Sequence, residues 1–410
     1  MTDLLTVDEA LEAVLQAVRP LPGTWEPLAQ ALRCVLAEDV LADIDLPPFD
    51  KALVDGYAVR SQDLTGEERW LRLGERISAG QTPTRGLAVG EAAVVMTGAP
   101  VPPGSDAVVM HERTRSGDGG VWVEEAGVRA GQNILARGRE MRAGEVVLSR
   151  GTILKPAHLG VLASVGRTSV RVVRPRVAIV PTGDELVEPE RKPGPGQIRN
   201  SNAIMLQTMA IEETAAADVL PIAPDEPDPL RQVLARGLES DVLIITGGVS
   251  AGQRDLVPAA LELLGVRRIF HKVRLKPGKP LWFGTGPPRV AIGQPGPLVF
   301  GLPGNPVSGL VGFLLFIKPA LAALSGRPRA QGVAEARLMR VFRHRGDRPT
   351  YHPARLLTGG DPHAAAPIET LEWAGSADLR TVAAADGFAV FPAGDRDYDP
   401  GEIVGFLPTR

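Results

Sequence analysis

Between residues 176 and 325 the sequence alternates β-branched runs with helical patterns, and this constrains the fold more than any other feature. Strands are expected over Val177–Val180, Val219–Ile222, Val242–Thr246, Ile269–Leu275 and Leu298–Leu302. Helices are expected over Ile204–Ile211, Pro229–Leu238 and Leu256–Leu264, and in a long apolar run ending at Leu324. Strand–helix alternation predicts a mostly parallel sheet with helices on both faces. Ligands of such sheets bind beyond the carboxyl ends of the strands. With 410 residues, the chain must carry further domains around this one.

The flanks have a different texture. Thr6-Val7-Asp8-Glu9 is a capping box opening a helix, with Leu11, Val14, Leu15 and Val18 at helical spacing. Pro20 and Pro22 stop it. A second helical pattern runs through Leu28, Ala31, Leu32 and Val35, with Cys34 as a packing residue inside it. From Leu46 to Ser149, short β runs (Ala92–Met96, Ala107–Met110, Val121–Glu124, Glu145–Leu148) lie between Gly, Pro and Asp clusters. Pro156–Val165 is helical again and is expected to pack with the first helices. Beyond Pro328 the best strands are Leu338–Phe342, Leu379–Ala383 and Phe388–Phe391, with Asp386-Gly387 as a hairpin-type turn. The expected fold class is multidomain α/β plus β. Residues 1–45 plus 146–175 would form a discontinuous, elongated helical linker domain, and 46–145 an inserted β domain. Residues 176–327 would form the three-layer α/β domain, and 328–410 a C-terminal β-barrel.

Composition narrows the function. A net charge of −3 argues against a nucleic-acid binder. No run approaches ~20 uninterrupted apolar residues, so no membrane span is expected. Met1-Thr2-Asp3-Leu4 does not begin a secretory signal, and a single cysteine suits a cytoplasmic home. Only seven residues are lysine against 38 arginines, yet Lys272, Lys276 and Lys279 fall together. Either this clustering is chance, or a compact point charge is wanted there.

Four strand ends carry unusual residues. Thr182-Gly183-Asp184-Glu185 offers two acids for a metal or a ligand hydroxyl, or is an ordinary acidic turn. Asp225-Glu226 precedes a helix, where dipole effects alone explain acids. In Thr246-Gly247-Gly248-Val249-Ser250-Ala251-Gly252-Gln253-Arg254-Asp255, paired glycines allow close backbone approach and Ser250 adds a hydroxyl. This loop fits neither the dinucleotide nor the P-loop pattern. The fourth end combines Lys276-Pro277-Gly278-Lys279-Pro280 with Gly301-Leu302-Pro303-Gly304-Asn305-Pro306-Val307-Ser308. Asn305 can cap a helix with Pro306 in its first position, and Ser308 adds a donor. Carboxylates beside lysines and free amides suit a phosphorylated substrate with a divalent cation such as Mg²⁺. No Cys/His cluster suggests zinc.

These motifs, with Gly196-Gln197-Ile198-Arg199-Asn200-Ser201-Asn202, stand in an order that resembles the molybdopterin molybdenumtransferase family (MoeA type, related to the gephyrin E domain). Leu46-Pro47-Pro48-Phe49-Asp50, Asp55-Gly56-Tyr57-Ala58 and Met96-Thr97-Gly98-Ala99-Pro100-Val101-Pro102 resemble its early signatures. The resemblance implies a molybdopterin-binding central domain and an elongated homodimer. It implies an active site between the α/β domain of one subunit and the β domain of the other. The implied reaction is Mg²⁺-assisted insertion of molybdate into adenylylated molybdopterin, with release of AMP. By motif, Asp55, Glu185, Asp255, Lys276 and Lys279 correspond to catalytic positions. Thr97, Gly247, Gly248, Ser250, Pro303, Asn305, Pro306 and Ser308 correspond to substrate-binding ones. Asp225, Asp255 and Glu185 are the implied metal ligands, which raises Asp225 above its local reading. Molybdopterin adenylyltransferase and molybdoenzyme-maturation proteins are the implied partners.

Two segments depart from the family pattern. Lys51-Ala52-Leu53-Val54 replaces the usual Asn-Ser-Ala before the Asp-Gly-Tyr-Ala run. Gly131-Gln132-Asn133-Ile134 is followed by Leu135 where the family has Arg, leaving Arg137 as the nearest cation. A molybdopterin-binding paralogue with altered or lost metal insertion, or a molybdopterin adenylyltransferase, are the alternative readings.

Overall fold

The computed structural model describes residues 4–65, 69–249, 256–289, 295–328, 332–358 and 364–409. Its centre is a six-stranded sheet in the order Ala216–Val219, Arg176–Pro181, Val242–Thr246, Leu298–Leu302, Trp282–Thr285, Arg267–His271. The first four strands run parallel, and Trp282–Thr285 is antiparallel to both neighbours. Every residue of Val242–Thr246 and Leu298–Leu302 is buried, as expected for strands covered on both faces. Period-two alternation divides them. Ile179, Ile244 and Phe300 face one core with Leu206 and Phe316, whereas Val180, Ile245 and Val299 face another with Leu234 and Leu261.

The first core is dominated by one long helical rod, Pro306–Leu324, with a π-turn over Phe313–Ile317. It is long and apolar enough to cross a membrane, but 83 % of its most apolar window is buried in the fold. It is a core helix.

The Thr6 capping box forms as expected: Thr6 Oγ1 accepts from the Glu9 amide at 3.2 Å, and Glu9 accepts from the Thr6 amide at 2.8 Å. The helix it opens, Val7–Ala17, buries Ala10, Leu11 and Val14 in the central domain's first core. Pro156–Ser164 instead places Leu162 in a separate cluster with Ala31, Cys34, Leu36 and Leu154.

Several local expectations need correction. The second N-terminal helix is only a 3-10 turn, Leu28–Gln30. Arg33 adopts a left-handed φ of 65°, which ends helical winding, and Val35–Leu36 then pairs with Ser169–Val173. Cys34 is still a buried packing residue. The strand expected at Val219–Ile222 lies at Ala216–Val219. The Ile269–Leu275 strand is Arg267–His271, because Lys272 turns the chain away at φ 75°. Leu379–Ala383 is a short helix, not a strand, since Asp378 caps it by accepting from the Thr381 amide at 3.0 Å. The Asp386-Gly387 hairpin turn is therefore absent. Gly387 starts a strand directly, and Asp386 accepts from the Leu356 amide at 2.9 Å.

The inserted region holds a six-stranded sheet containing Gly56–Val59, Arg69–Ile77, Glu91–Val95 and Ala107–Met110. The C-terminal region closes into a five-stranded barrel of Ala334–Leu338, Ala366–Thr370, Thr350–Leu356, Gly387–Phe391 and Ile403–Pro408.

Candidate functional site

The strand-end loops of the central sheet meet the barrel across a cavity of about 630 Å³. Backbone pairing fixes this junction. The Lys276 amide donates to the Pro349 carbonyl at 3.0 Å, and the Tyr351 amide donates to the Lys276 carbonyl at 2.8 Å. On the far side, the Val307 amide donates to the Ser376 carbonyl at 3.0 Å, so a barrel loop closes onto the start of the long helix. Lys276, Lys279, Pro303, Asn305 and Ser308 all line this one cavity. Asn305 holds the N-cap position without spending its side chain on the cap.

Glycines let the neighbouring loops approach. A Cβ on Gly247, whose φ is 88°, would lie 2.6 Å from the Thr182 carbonyl oxygen. Gly304 packs within 3.9 Å of Gly247 by the same measure, and Asn202 Nδ2 donates to the Gly304 carbonyl at 2.7 Å. The Thr182, Gly247 and Gly304 segments are thus one contiguous surface. Ser250 and Asp255 lie outside the described residues.

The barrel's share of the cavity was not foreseen. Arg343, Arg345, Arg348, Thr350, His352 and Trp373 line it. The signal available was the basic run His344-Arg345-Gly346-Asp347-Arg348, but nothing local says that this hairpin turns toward Lys276. Arg345 is paired with Asp397 at 2.5 Å, and Arg348 donates to the Leu275 carbonyl at 3.1 Å. His344 is buried and bonded through both ring nitrogens, to the Gly394 carbonyl at 2.7 Å and the Thr350 hydroxyl at 2.8 Å. The lining is therefore strongly cationic and rich in donors.

The acids occupy an adjoining position. Thr182 bridges to Ala223, and the Gly183 amide donates to the Ala223 carbonyl at 3.2 Å. Asp184 Oδ1 accepts from the Asp225 amide at 3.1 Å. The Glu185 carboxylate folds over Gly183, where a Cβ would fall 2.3 Å from it. Glu185 and Asp225 thus sit on neighbouring strand ends. Among the described residues, no three acids, histidines or cysteines gather closely enough to cage a metal by themselves. That donor set fits Mg²⁺, which takes one or two carboxylates and completes its shell with water and phosphate oxygens.

Asp55 and Thr97 form a separate unit in the inserted domain. Asp55 Oδ1 accepts from the Thr97 amide at 2.6 Å and from its hydroxyl at 2.8 Å. These bonds, the amide's first, hold Asp55 below the usual carboxylate range. Neither residue lines the cavity. Nearby, Lys51 pairs with Leu135 in a two-residue ladder, and its Nζ is 3.9 Å from Glu140. Arg137 Nε donates to Asp45 at 2.7 Å, and its amide to Asp50 at 2.8 Å.

Comparison with known proteins decides the family. Residues 5–166 match the family model for the MoeA N-terminal region (domains I and II), 178–323 that for a probable molybdopterin binding domain, and 335–409 that for the MoeA C-terminal region (domain IV). The chain belongs to the MoeA family of molybdopterin molybdenumtransferases. The Bacillus subtilis molybdopterin molybdenumtransferase is 34% identical over 423 residues, covering 99% of this chain and 94% of that protein. The Staphylococcus aureus (strain Mu50) molybdopterin molybdenumtransferase is 31% identical over 413 residues, covering 99% and 96%. A solved molybdopterin biosynthesis MoeA protein from Pyrococcus horikosii matches with a TM-score of 0.81 at 30% identity, over 100% of both chains. The chain is thus a MoeA-type transferase of molybdenum cofactor biosynthesis. The cavity joins its molybdopterin-binding region to its C-terminal region.

Proposed function

We propose that this MoeA-family protein inserts molybdate into the dithiolene of adenylylated molybdopterin, releases AMP and uses Mg²⁺. The observation that carries this reading is the cavity that joins Lys276, Lys279 and Ser308 of the central domain to Arg348 of the barrel. Its cations and hydroxyl suit a doubly charged oxyanion, because charge-assisted hydrogen bonds are the strong ones. Lys276 and Lys279 would neutralise the negative charge that develops on a departing phosphate, and pre-aimed donors there lower the barrier. The prolines at 277, 280 and 303 keep that arrangement rigid.

Glu185 and Asp225 would hold Mg²⁺, which supplies charge neutralisation at the phosphate linkage when bound. Gly248 would let phosphate oxygens approach the backbone, whereas the Gly247 amide is taken by the Leu302 carbonyl at 3.0 Å. Asp55, held ionised by Thr97, would complete the site from the partner subunit of a homodimer. Its preorganised carboxylate lies outside the cavity of its own chain, which supports a role across such an interface.

The test is direct. Purified protein given adenylylated molybdopterin, molybdate and Mg²⁺ should release AMP and yield active cofactor. Absence of AMP under these conditions contradicts the proposal. Consumption of ATP with unmodified molybdopterin would point to adenylyl transfer instead.

A further inference from the structure

The cavity is much larger than a tetrahedral oxyanion. Its volume of about 630 Å³ matches a whole small-molecule site, for which ~300–1,000 Å³ is usual. Its lining also divides into two chemistries. Lysines, arginines and Ser308 supply cations and donors, whereas Phe342, His352 and Trp373 supply aromatic surface. The His352 ring meets Phe342 edge-on at 4.8 Å and Trp373 at 5.4 Å and 89°. An oxyanion gives the aromatic group nothing to bind.

His352 adds the polar handle. Its Nε2 lies 2.8 Å from the Leu371 carbonyl oxygen. A carbonyl only accepts, so Nε2 carries the proton and Nδ1 keeps a lone pair. Nδ1 has no partner among the described residues and is not one of the buried atoms that packing seals off. Burial pushes His352 below the usual histidine range, and the Lys276 charge adds to this, against the Leu371 hydrogen bond. The ring is therefore neutral at pH 7, an acceptor in a cavity otherwise rich in donors.

We propose that His352, with Phe342 and Trp373, forms a subsite for a planar nitrogen heterocycle bearing N–H donors, and that its occupant is the pterin ring of the substrate. This rests on the reading of the cavity as the oxyanion site. Adenine shares the recognised chemistry, but the dithiolene that must meet the oxyanion is attached to the pterin end. The adenylyl group lies across the phosphate linkage. The pterin must therefore share the oxyanion's cavity, and the adenine need not.

The groups around His352 set its pH response. Lys276 and Lys279 share the cavity from the strand-end loop, Arg343 and Arg345 from the adjoining barrel segment, and Arg348 from the approach to its own strand. All are cations, and Glu372, beside Trp373, is exposed. Protonating His352 adds one more positive charge and removes the Nδ1 lone pair. Pterin affinity should therefore fall as pH drops, whereas oxyanion affinity should not.

The experiment titrates the full-length protein with 6-hydroxymethylpterin, molybdate and AMP separately. His352→Gln keeps an amide donor for Leu371 but carries its acceptor on Oε1, away from the position Nδ1 holds on the ring. It should weaken pterin binding about tenfold, the loss of one hydrogen bond, and leave molybdate and AMP unchanged. Wild-type pterin affinity should hold through the usual histidine range and decline only as pH falls below about 6.5, and that decline should vanish in the variant. The wild-type profile and Trp373→Leu, which should also weaken pterin selectively, keep the test decisive if His352→Gln does not fold. Unchanged pterin binding in folded His352→Gln, or a loss of AMP in its place, overturns the proposal. A flat wild-type pterin profile also overturns it. Failure of the underlying oxyanion reading would look different: Arg348→Ala would then leave molybdate binding intact.

Discussion

The two parts of the molecule that carry family motifs are built in different ways. The Lys276–Ser308 half is assembled within one chain. Loops at neighbouring strand ends and a barrel hairpin converge on one cavity, zipped by backbone hydrogen bonds at Lys276 and Val307. The Asp55–Thr97 half is preorganised but not enclosed. Its carboxylate is held by two short hydrogen bonds, yet it lines no part of the cavity. The first half contains a pocket, and the second presents a single aimed group. That difference suits a site completed only when two subunits meet.

The largest effect expected from breaking this comparison is at Lys276. Lys276→Ala should lower kcat/KM for metal insertion by about 10²–10³-fold, the scale for losing a preorganised charge-stabilising donor. The fold should be little affected, because the backbone of Lys276, not its side chain, makes the junction. Steady-state kinetics with thermal melts would check both parts. Arg348→Ala should weaken molybdate binding about 10- to 100-fold, on the scale of a charge-assisted hydrogen bond of about 1.5–3 kcal/mol. Calorimetric titration reads this directly.

On the other half, Thr97→Val should act through Asp55. Removing one of its two hydrogen bonds frees the carboxylate, so kcat should fall about tenfold, with molybdate affinity unchanged. A fall in molybdate affinity instead would place Asp55 in the oxyanion pocket. The smallest effect is expected from Arg137→Ala. Its guanidinium is already engaged by Asp45, so it does not replace the Arg absent at Leu135. Molybdate binding should change by less than about twofold, as for exposed ion pairs.

The inserted domain also has its own acid sensitivity. Arg85, then the Ala88 amide and Arg72, hold Glu91 down to about 2. Because the folded value lies below the unfolded one, this contributes stability above about pH 4.5, and that stability is lost as pH falls toward 2. Glu91→Gln should lower the melting temperature of the domain at pH 7 by several degrees and make little difference near pH 2.

Much of this could be read from sequence because it is local. The Val242–Thr246 and Leu298–Leu302 strands are continuous apolar runs, and the Thr6 cap is a four-residue signature, so both were legible. The lysine and proline loops were legible for a related reason, since strand ends in parallel sheets are where ligands bind. Leu379–Ala383 was misread because β-branched content outweighed the Asp378 cap. The cationic barrel wall was hidden because it depends on a non-local contact, Lys276 against Thr350, that no spacing encodes. The same holds for Leu28–Val35, where one left-handed residue, Arg33, cancels a plausible helical period.

The claim that two subunits complete each site is tested most directly by complementation. Asp55→Asn and Lys276→Ala are each expected to be inactive as homodimers. Mixed dimers of the two should contain one site with both substitutions and one with neither. Equal mixing should therefore restore about a quarter of wild-type activity, as statistical pairing of a two-fold dimer requires. No recovery, with mixed dimers shown to form, would place Asp55 and Lys276 in the same subunit's site and contradict the account.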